Sequence, residues 1–231
     1  MAFPQDTIPT MDRRKLLFGL AAATGQLHAQ QSTSLFNGKN LDGWQKHGEV
    51  EWFVNDGILI GKSPRPTRKP FGEWPISEKQ YRAWLTQQAW LYTEAEYEEF
   101  DLQLEYWIPE GGNSGISIRD SSRGDKSYGV SPQITPAHIG YEIQIIDDEP
   151  QPFPSGSIYT FVAAPKELHK KEAWNVLEIQ SRKQMIRTRL NGKLAAEFAG
   201  DPKRPLKGPI GLQLHDRYSL VMFRNIAIKV F

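Results

Sequence analysis

The chain has 231 residues and no cysteine, which excludes disulfides and thiolate-bound zinc. Its formal net charge is +1, a balance that does not steer it toward nucleic acid or an anionic membrane surface. At this length one well-buried domain is expected.

The first segment reads as an export signal. In "MDRRKLLFGLAAATGQLHAQQ" (11–31), the twin arginines Arg13 and Arg14 and then Lys15 precede an apolar run from Leu16 to Ala23. Small residues follow, with a cleavage point after Ala29. The run is far shorter than the roughly 20 residues of a membrane span, so no transmembrane segment is expected. Residues 1–29 are thus expected to be a twin-arginine signal peptide with an upstream extension. The domain over residues 30–231 would then be periplasmic or secreted. Removing the signal takes away Arg13, Arg14, Lys15, Asp6 and Asp12, which leaves a formal charge of zero.

The rest reads as β almost throughout. "EWFVNDGILIG" (51–61) is two short runs about Asn55, Asp56 and Gly57, a hairpin signal. Residues 62–90 are basic and Pro-rich, then briefly helical. Ser77 and Gln80 suit a capping box there, and Tyr81, Trp84 and Leu85 share a helical face. This is read as a short helical insertion or lid. Strands are expected at 100–108, 114–120, 140–147, 157–163 and 174–181. A second hairpin over 184–198 turns at Asn191 and Gly192, and strands at 210–215 and 220–230 complete the set. Many short strands with frequent Gly and Pro predict an all-β sandwich or jelly roll.

Strand alternation sorts the side chains. In 101–109, Leu102, Leu104 and Tyr106 oppose Gln103, Glu105 and Trp107. In 114–120, Ile116 and Ile118 oppose Ser117 and Arg119. In "GYEIQIIDDE" (140–149), Tyr141, Ile143 and Ile145 oppose Glu142 and Gln144, and in 211–216 Leu212 and Leu214 oppose Gln213 and His215. Amides, carboxylates, a guanidinium and a Trp on one face suit vicinal hydroxyls and the apolar side of a pyranose. The expectation is a carbohydrate groove on one sheet.

Eight segments occur in an order that resembles the 3-keto-disaccharide hydrolase domain family: "SLFNGKNLDGW" (34–44), "WFVNDGILIG" (52–61), "WLYTEAEYEEFDLQLEY" (90–106), "GGNSGISIR" (111–119), "GYEIQIID" (140–147), "WNVLEIQ" (174–180), "LNGK" (190–193) and "GPIGLQLHDRYSLVMFRNI" (208–226). The resemblance covers nearly all of 30–231. It implies a concanavalin A-like jelly-roll β-sandwich and an enzyme that cleaves the glycosidic bond of sugars oxidised at C3. The family often has Arg where this chain has Trp107, and an acidic residue where it has Leu214.

A ketone at C3 acidifies the hydrogen on C2 and places the glycosidic oxygen β to the carbonyl. A base can remove that proton, and the enolate can expel the leaving group. Glu142 and His215 are the expected proton-transfer pair, and Arg119 the expected partner of the enolate oxygen. Asn113, Ser117, Gln144, Tyr159, Gln213, Trp107 and Glu105 are expected to bind substrate. A structural ion pair between Glu142 and Arg119 is the alternative for those two residues, and Arg224 is read as structural.

Two other functions fit the same groove. A lectin-like domain would bind sugar without turnover. A laminarinase-type retaining endoglycanase would need paired carboxyls about 5–5.5 Å apart. The stretch Glu142, Gln144, Asp147 has an amide where the central acid belongs. No cofactor is expected, although Asp147, Asp148 and Glu149 form an acidic cluster that could hold calcium.

Overall fold

The computed structural model describes residues 32–48, 50–62, 89–123, 139–147, 150–215 and 220–231. The signal segment, almost all of the 62–90 insertion with Trp74 and Trp84, and Asp148, Glu149 and Asp216 lie outside the described residues.

The described strands in chain order are β1 (Thr33–Ser34), β2 (Trp44–His47), β3 (Glu51–Asn55), β4 (Ile58–Lys62), β5 (Ala89–Thr93), β6 (Phe100–Trp107) and β7 (Asn113–Ile118). They continue with β8 (Tyr141–Ile146), β9 (Asn175–Arg182), β10 (Met185–Leu190), β11 (Lys193–Phe198), β12 (Gly211–Leu214) and β13 (Leu220–Val230). One sheet has the order β11-β10-β9-β6-β13-β4-β3, with β1 added beside β13, and the other has the order β2-β5-β12-β7-β8. Every strand pair is antiparallel.

The two sheets face one another across a core that follows from alternation. Leu102, Leu104 and Tyr106 of β6, with Leu177 and Ile179 of β9, meet Tyr141, Ile143 and Ile145 of β8 and Ile116, Leu212 and Leu91 from its neighbours. Burial at about 25 cal/mol per Å² of apolar surface is what holds the layers together. The chain is a concanavalin A-like jelly-roll β-sandwich.

Turn chemistry sets the register. Asp56 and Gly57 (φ 47° and 75°) join Asn55 to its partner Ile58. Asn191 and Gly192 (φ 52° and 79°) do the same between Leu190 and Lys193. Both residues in each pair have the positive φ that a type I′ hairpin requires. In β13 the pairing with β6 slips between Arg224 and Ala227, with Asn225 at φ 52°. That bulge lets Phe223 and Ile226, three residues apart, both enter the core, which an unbroken strand forbids.

Three details differ from the sequence-based expectation. β2 and β5 were not foreseen, and β5 lies at the boundary drawn for the insertion. All five of its residues are buried, so it shows no polar alternation. The strand expected at 157–163 is instead a tight turn, closed by a bridge between Ile158 and Val162. The strand expected at 114–120 ends at Ile118, because Arg119 has φ 62°.

Candidate active site

The outer face of the five-stranded sheet carries the polar set, and its register builds two rows. In the first, Tyr92 pairs with Gly211, Gly211 with Ser117, and Ser117 with Glu142. The row extends onto the segment that follows β8, because Ile143 bridges Ile158 and the Tyr159 amide donates to the Glu142 carbonyl at 2.9 Å. In the second row Trp90 pairs with Gln213, and Gly115 pairs with Gln144. Rows two residues apart are separated by about 7 Å. Asn113 starts a third, opposite Ile146.

Glycine shapes this surface in two places. A Cβ on Gly115 would lie 2.5 Å from Glu142 Oε1 and 3.0 Å from its Cγ. A Cβ on Gly211 would run into the ring of Tyr92. The missing side chains let Glu142 and Tyr92 lie down on the sheet. Glu142 leans across Gly115 and receives a hydrogen bond from the Gln213 side chain.

Burial pushes the Glu142 carboxyl up to about 8, against the smaller lowering effect of that hydrogen bond. Desolvation disfavours the charged form, so this acid holds its proton at pH values where an exposed glutamate has lost it. Such tuning brings a carboxylate into the range useful for general acid–base work near neutrality.

Around it lie buried polar atoms without a protein partner: Asn113 Oδ1, Ser117 Oγ, Gln144 Oε1, Gln213 Oε1 and Trp90 Nε1. An unsatisfied buried polar group costs about 1–3 kcal/mol, and five sharing one sheet face is the signature of a surface built to receive hydrogen bonds. Trp90 stacks on Tyr92 with ring centroids 5.6 Å apart, and both rings are buried outside the interior core cluster. Sequence reasoning missed these two aromatics together with their strand. Their spacing of two residues, matching Glu142 and Gln144, was the available signal.

The structure thus brings Asn113, Ser117, Glu142, Gln144 and Gln213 to one face, with Tyr159 across from Glu142. His215 follows Gln213 by two residues, just past the end of β12, and is half-buried.

Three expected members are elsewhere. Glu105 and Trp107 belong to β6, which is in the other sheet, and they alternate away from the core residues Leu104 and Tyr106. Period-2 reasoning identifies the side of a strand but not which sheet owns it. Glu105 accepts hydrogen bonds from Arg224 Nε at 2.8 Å and Asn225 Nδ2 at 2.7 Å. Burial opposes its ionisation, but the bonds from Asn225 and Arg224 and the Arg224 charge outweigh it and hold the carboxyl below its ordinary value. The Arg224 guanidinium also lies 4.0 Å from the Trp174 ring centroid, which is the structural role expected for it.

Arg119 is the third. Its positive φ breaks the alternation as its backbone passes tightly against Gly140 and Gly208. The guanidinium bonds Ser181 Oγ at 2.7 Å and the carbonyls of Lys183 at 2.6 Å and Gln184 at 3.2 Å. These partners form the end of β9 and the β9–β10 turn, so Arg119 ties the two sheets together and makes no ion pair with Glu142. Desolvation lowers its pKa, the cost of so deep a position.

The endoglycanase pattern also fails on geometry. The β7–β8 register runs without a bulge, so Asp147 retains the parity opposite to Glu142. Asp147 is buried and near His169 and Lys171. No group of three metal-ligating side chains occurs among the described residues.

A family described as the 3-keto-alpha-glucoside-1,2-lyase-like domain matches residues 31–229. Two solved structures from Parabacteroides distasonis, both glycosyl hydrolase candidates, are similar to the chain. One is 27% identical with a TM-score of 0.64, covering 87% of this chain and 100% of its own. The other is 23% identical with a TM-score of 0.63, covering 88% and 96%. A Bacillus subtilis protein of unknown function with a galectin-like fold shares the architecture at 12% identity and a TM-score of 0.52, covering 82% and 90%. No curated protein matches.

Proposed function

From a chain that belongs to the 3-keto-alpha-glucoside-1,2-lyase-like family, we propose an enzyme that cleaves the glycosidic bond of a 3-keto-glycoside or 3-keto-disaccharide on the outer face of the five-stranded sheet. The observation that carries this reading is Glu142: a buried carboxyl with its pKa raised to about 8, among unpartnered hydrogen-bonding atoms. The family's description and the glycosyl hydrolase candidate at 27% identity support carbohydrate cleavage.

In the proposed reaction the Glu142 carboxylate takes the proton from C2. The electron pair moves into the C2–C3 bond and onto the ketone oxygen as an enolate. With Arg119 held elsewhere, Ser117 Oγ beside Glu142 and the Trp90 indole N–H are the donors for that oxygen. The enolate re-forms the ketone and expels the C1 oxygen, which leaves as an alcohol with a proton from His215. The 1,2-unsaturated ketone then adds water, hydroxyl to C1 and proton to C2, for a net hydrolysis. Gln144, Gln213, Asn113 and Tyr159 position hydroxyls.

The test is incubation of the purified protein with a 3-keto-disaccharide in heavy water, beside the unoxidised disaccharide and an enzyme-free control. Cleavage of the oxidised sugar alone, with deuterium at C2 of the released 3-keto-sugar above the control, supports the scheme. Cleavage without that deuterium means direct hydrolysis at C1. Binding without cleavage of either sugar moves the protein to the lectin class.

A further inference from the structure

The outer face of the five-stranded sheet is closed at one end. Trp90 and Tyr92 stand on β5, and their rings stack with centroids 5.6 Å apart. His47 of β2, the register partner of Trp90, meets the Tyr92 ring edge-on at 5.4 Å. On its other side Tyr92 reaches over β12. A Cβ on Gly211 would lie 2.7 Å from Tyr92 Cδ1 and 3.1 Å from Ser117 Cβ, so the ring fills the gap between β5 and Ser117. Trp90, Tyr92 and Ser117 are 0% exposed, whereas Glu142 and Gln144 are 7% exposed and Asn113 and Tyr159 are half-buried. The face therefore opens toward β8 and Tyr159 and ends at the Trp90–Tyr92 stack.

The distance to that stack limits what can sit against it. Glu142 leans across Gly115 on β7 to Gln213 on β12, and Gln213 pairs with Trp90 on β5. Gly115 and Trp90 are thus two strand spacings apart, about 10 Å, which accommodates one pyranose and not two. The proposed reaction fixes the orientation of that ring. With C2 at the Glu142 carboxylate and the C3 oxygen at Trp90 Nε1 and Ser117 Oγ, C4 is the next carbon beyond C3, on the side of the stack. C1 lies across the ring from C4, and its leaving group points toward β8, where the face is more open. A substituent on O4 would have to occupy the space of the aromatic rings. Close packing resists this, because Tyr92 cannot swing aside without displacing Trp90 or His47.

We propose that the Trp90–Tyr92 stack is a specificity-determining wall that admits a 3-keto sugar with a free O4 and excludes the same unit carrying a further sugar there. The proposal rests on the proposed function for the placement of C2 and C3.

The experiment compares two sugars that share the reacting ring and the leaving group: methyl 3-keto-α-glucoside, and the same glycoside with a glucosyl group on O4. The ratio of their kcat/KM values is measured for wild type, Tyr92→Ala and Tyr92→Phe. Calorimetry with Glu142→Gln gives the ratio of their affinities without turnover. Wild type should prefer the unsubstituted sugar by about a hundredfold or more, as when a group finds no space rather than loses a contact. Tyr92→Ala should narrow that preference about tenfold or more, and Tyr92→Phe, which keeps the ring, should retain it. Tyr92 is buried, so the wild-type comparison carries the test if Tyr92→Ala does not fold. An unchanged preference in folded Tyr92→Ala overturns the wall. Equal cleavage of both sugars by wild type also overturns it and leaves the proposed function standing. Tighter binding of the unsubstituted sugar with cleavage of neither keeps the wall and removes the function. Binding of neither removes both.

Discussion

Glu142 occupies the space that a side chain on Gly115 would fill. The two are on adjacent strands but not in one register pair, since Gly115 is opposite Gln144 and Glu142 opposite Ser117. The carboxylate reaches Gln213 only by crossing the bare backbone of Gly115. Placement of the proposed base therefore depends on an atom that is missing from a neighbouring residue.

Gly115→Ala tests that placement. Gly115 is not at a positive φ, so the backbone accepts alanine, and the clash at 2.5 Å is with the end of a movable side chain. Stability should change by about 1 kcal/mol, a typical single-mutant value. The displaced carboxylate should cost about 10²–10⁴ in kcat on a 3-keto-disaccharide, the usual range for lost general-base help. Wild-type kcat in the alanine variant would show that the crossing does not matter.

The raised pKa of Glu142 gives a pH signature in both activity and stability. As the base it must be ionised, so kcat/KM should rise with pH and level off above about 8. For stability, the folded protein holds this proton up to about 8 while the unfolded chain releases it near 4.5. The site costs nothing below about 4.5, and stability falls as pH rises through the window between those values, with the full cost present above it. Glu142→Gln removes the titration. Denaturation curves should show the variant on the order of 1–4 kcal/mol more stable relative to wild type at pH 9 than at pH 4. An equal difference at both pH values would mean the folded carboxyl titrates as an ordinary one.

The legible part of this molecule was whatever alternation and turn residues encode. Glu142, Gln144, Gln213 and Ser117 were placed on one face because each is opposed by aliphatic neighbours along its own strand. The hairpins at Asp56–Gly57 and Asn191–Gly192 were legible because few residues adopt two successive positive φ angles. β5 was not, since Trp90 and Tyr92 on one side are as apolar and as buried as Leu91 on the other. The attribution of Glu105 and Trp107 to the groove failed because strand pairing is non-local: β6 joins β9 and β13 through partners as distant in sequence as Tyr106 and Asn175 or Phe100 and Val230. Arg119 failed for a local reason, a single backbone angle that alternation assumes away.

We propose that residues 1–29 act as a twin-arginine export signal, from the order of Arg13, Arg14, the apolar run and Ala29 in the sequence. In a host with twin-arginine transport, the exported protein should begin near Gln30 by N-terminal sequencing. Replacing Arg13 and Arg14 with Lys should leave precursor in the cytoplasm, and normal export of that double variant would remove the assignment.

Arg119 separates a structural from a catalytic role most directly. Its side chain is anchored to Ser181, Lys183 and Gln184, all on the opposing sheet or its turn. Arg119→Ala leaves the Lys183 and Gln184 carbonyls without these donors and opens a cavity, so it should destabilise by about 2–4 kcal/mol in a denaturant titration. Arg119→Lys keeps the charge but not the planar fork that reaches three partners, and it should recover only part of the loss. The folded fraction of each variant should retain kcat within a few-fold, because neither substitution touches Glu142, Gly115 or Gln213. The opposite outcome is equally readable: wild-type stability with a hundredfold or greater loss of kcat would mean that Arg119 leaves this anchorage during turnover and meets the substrate.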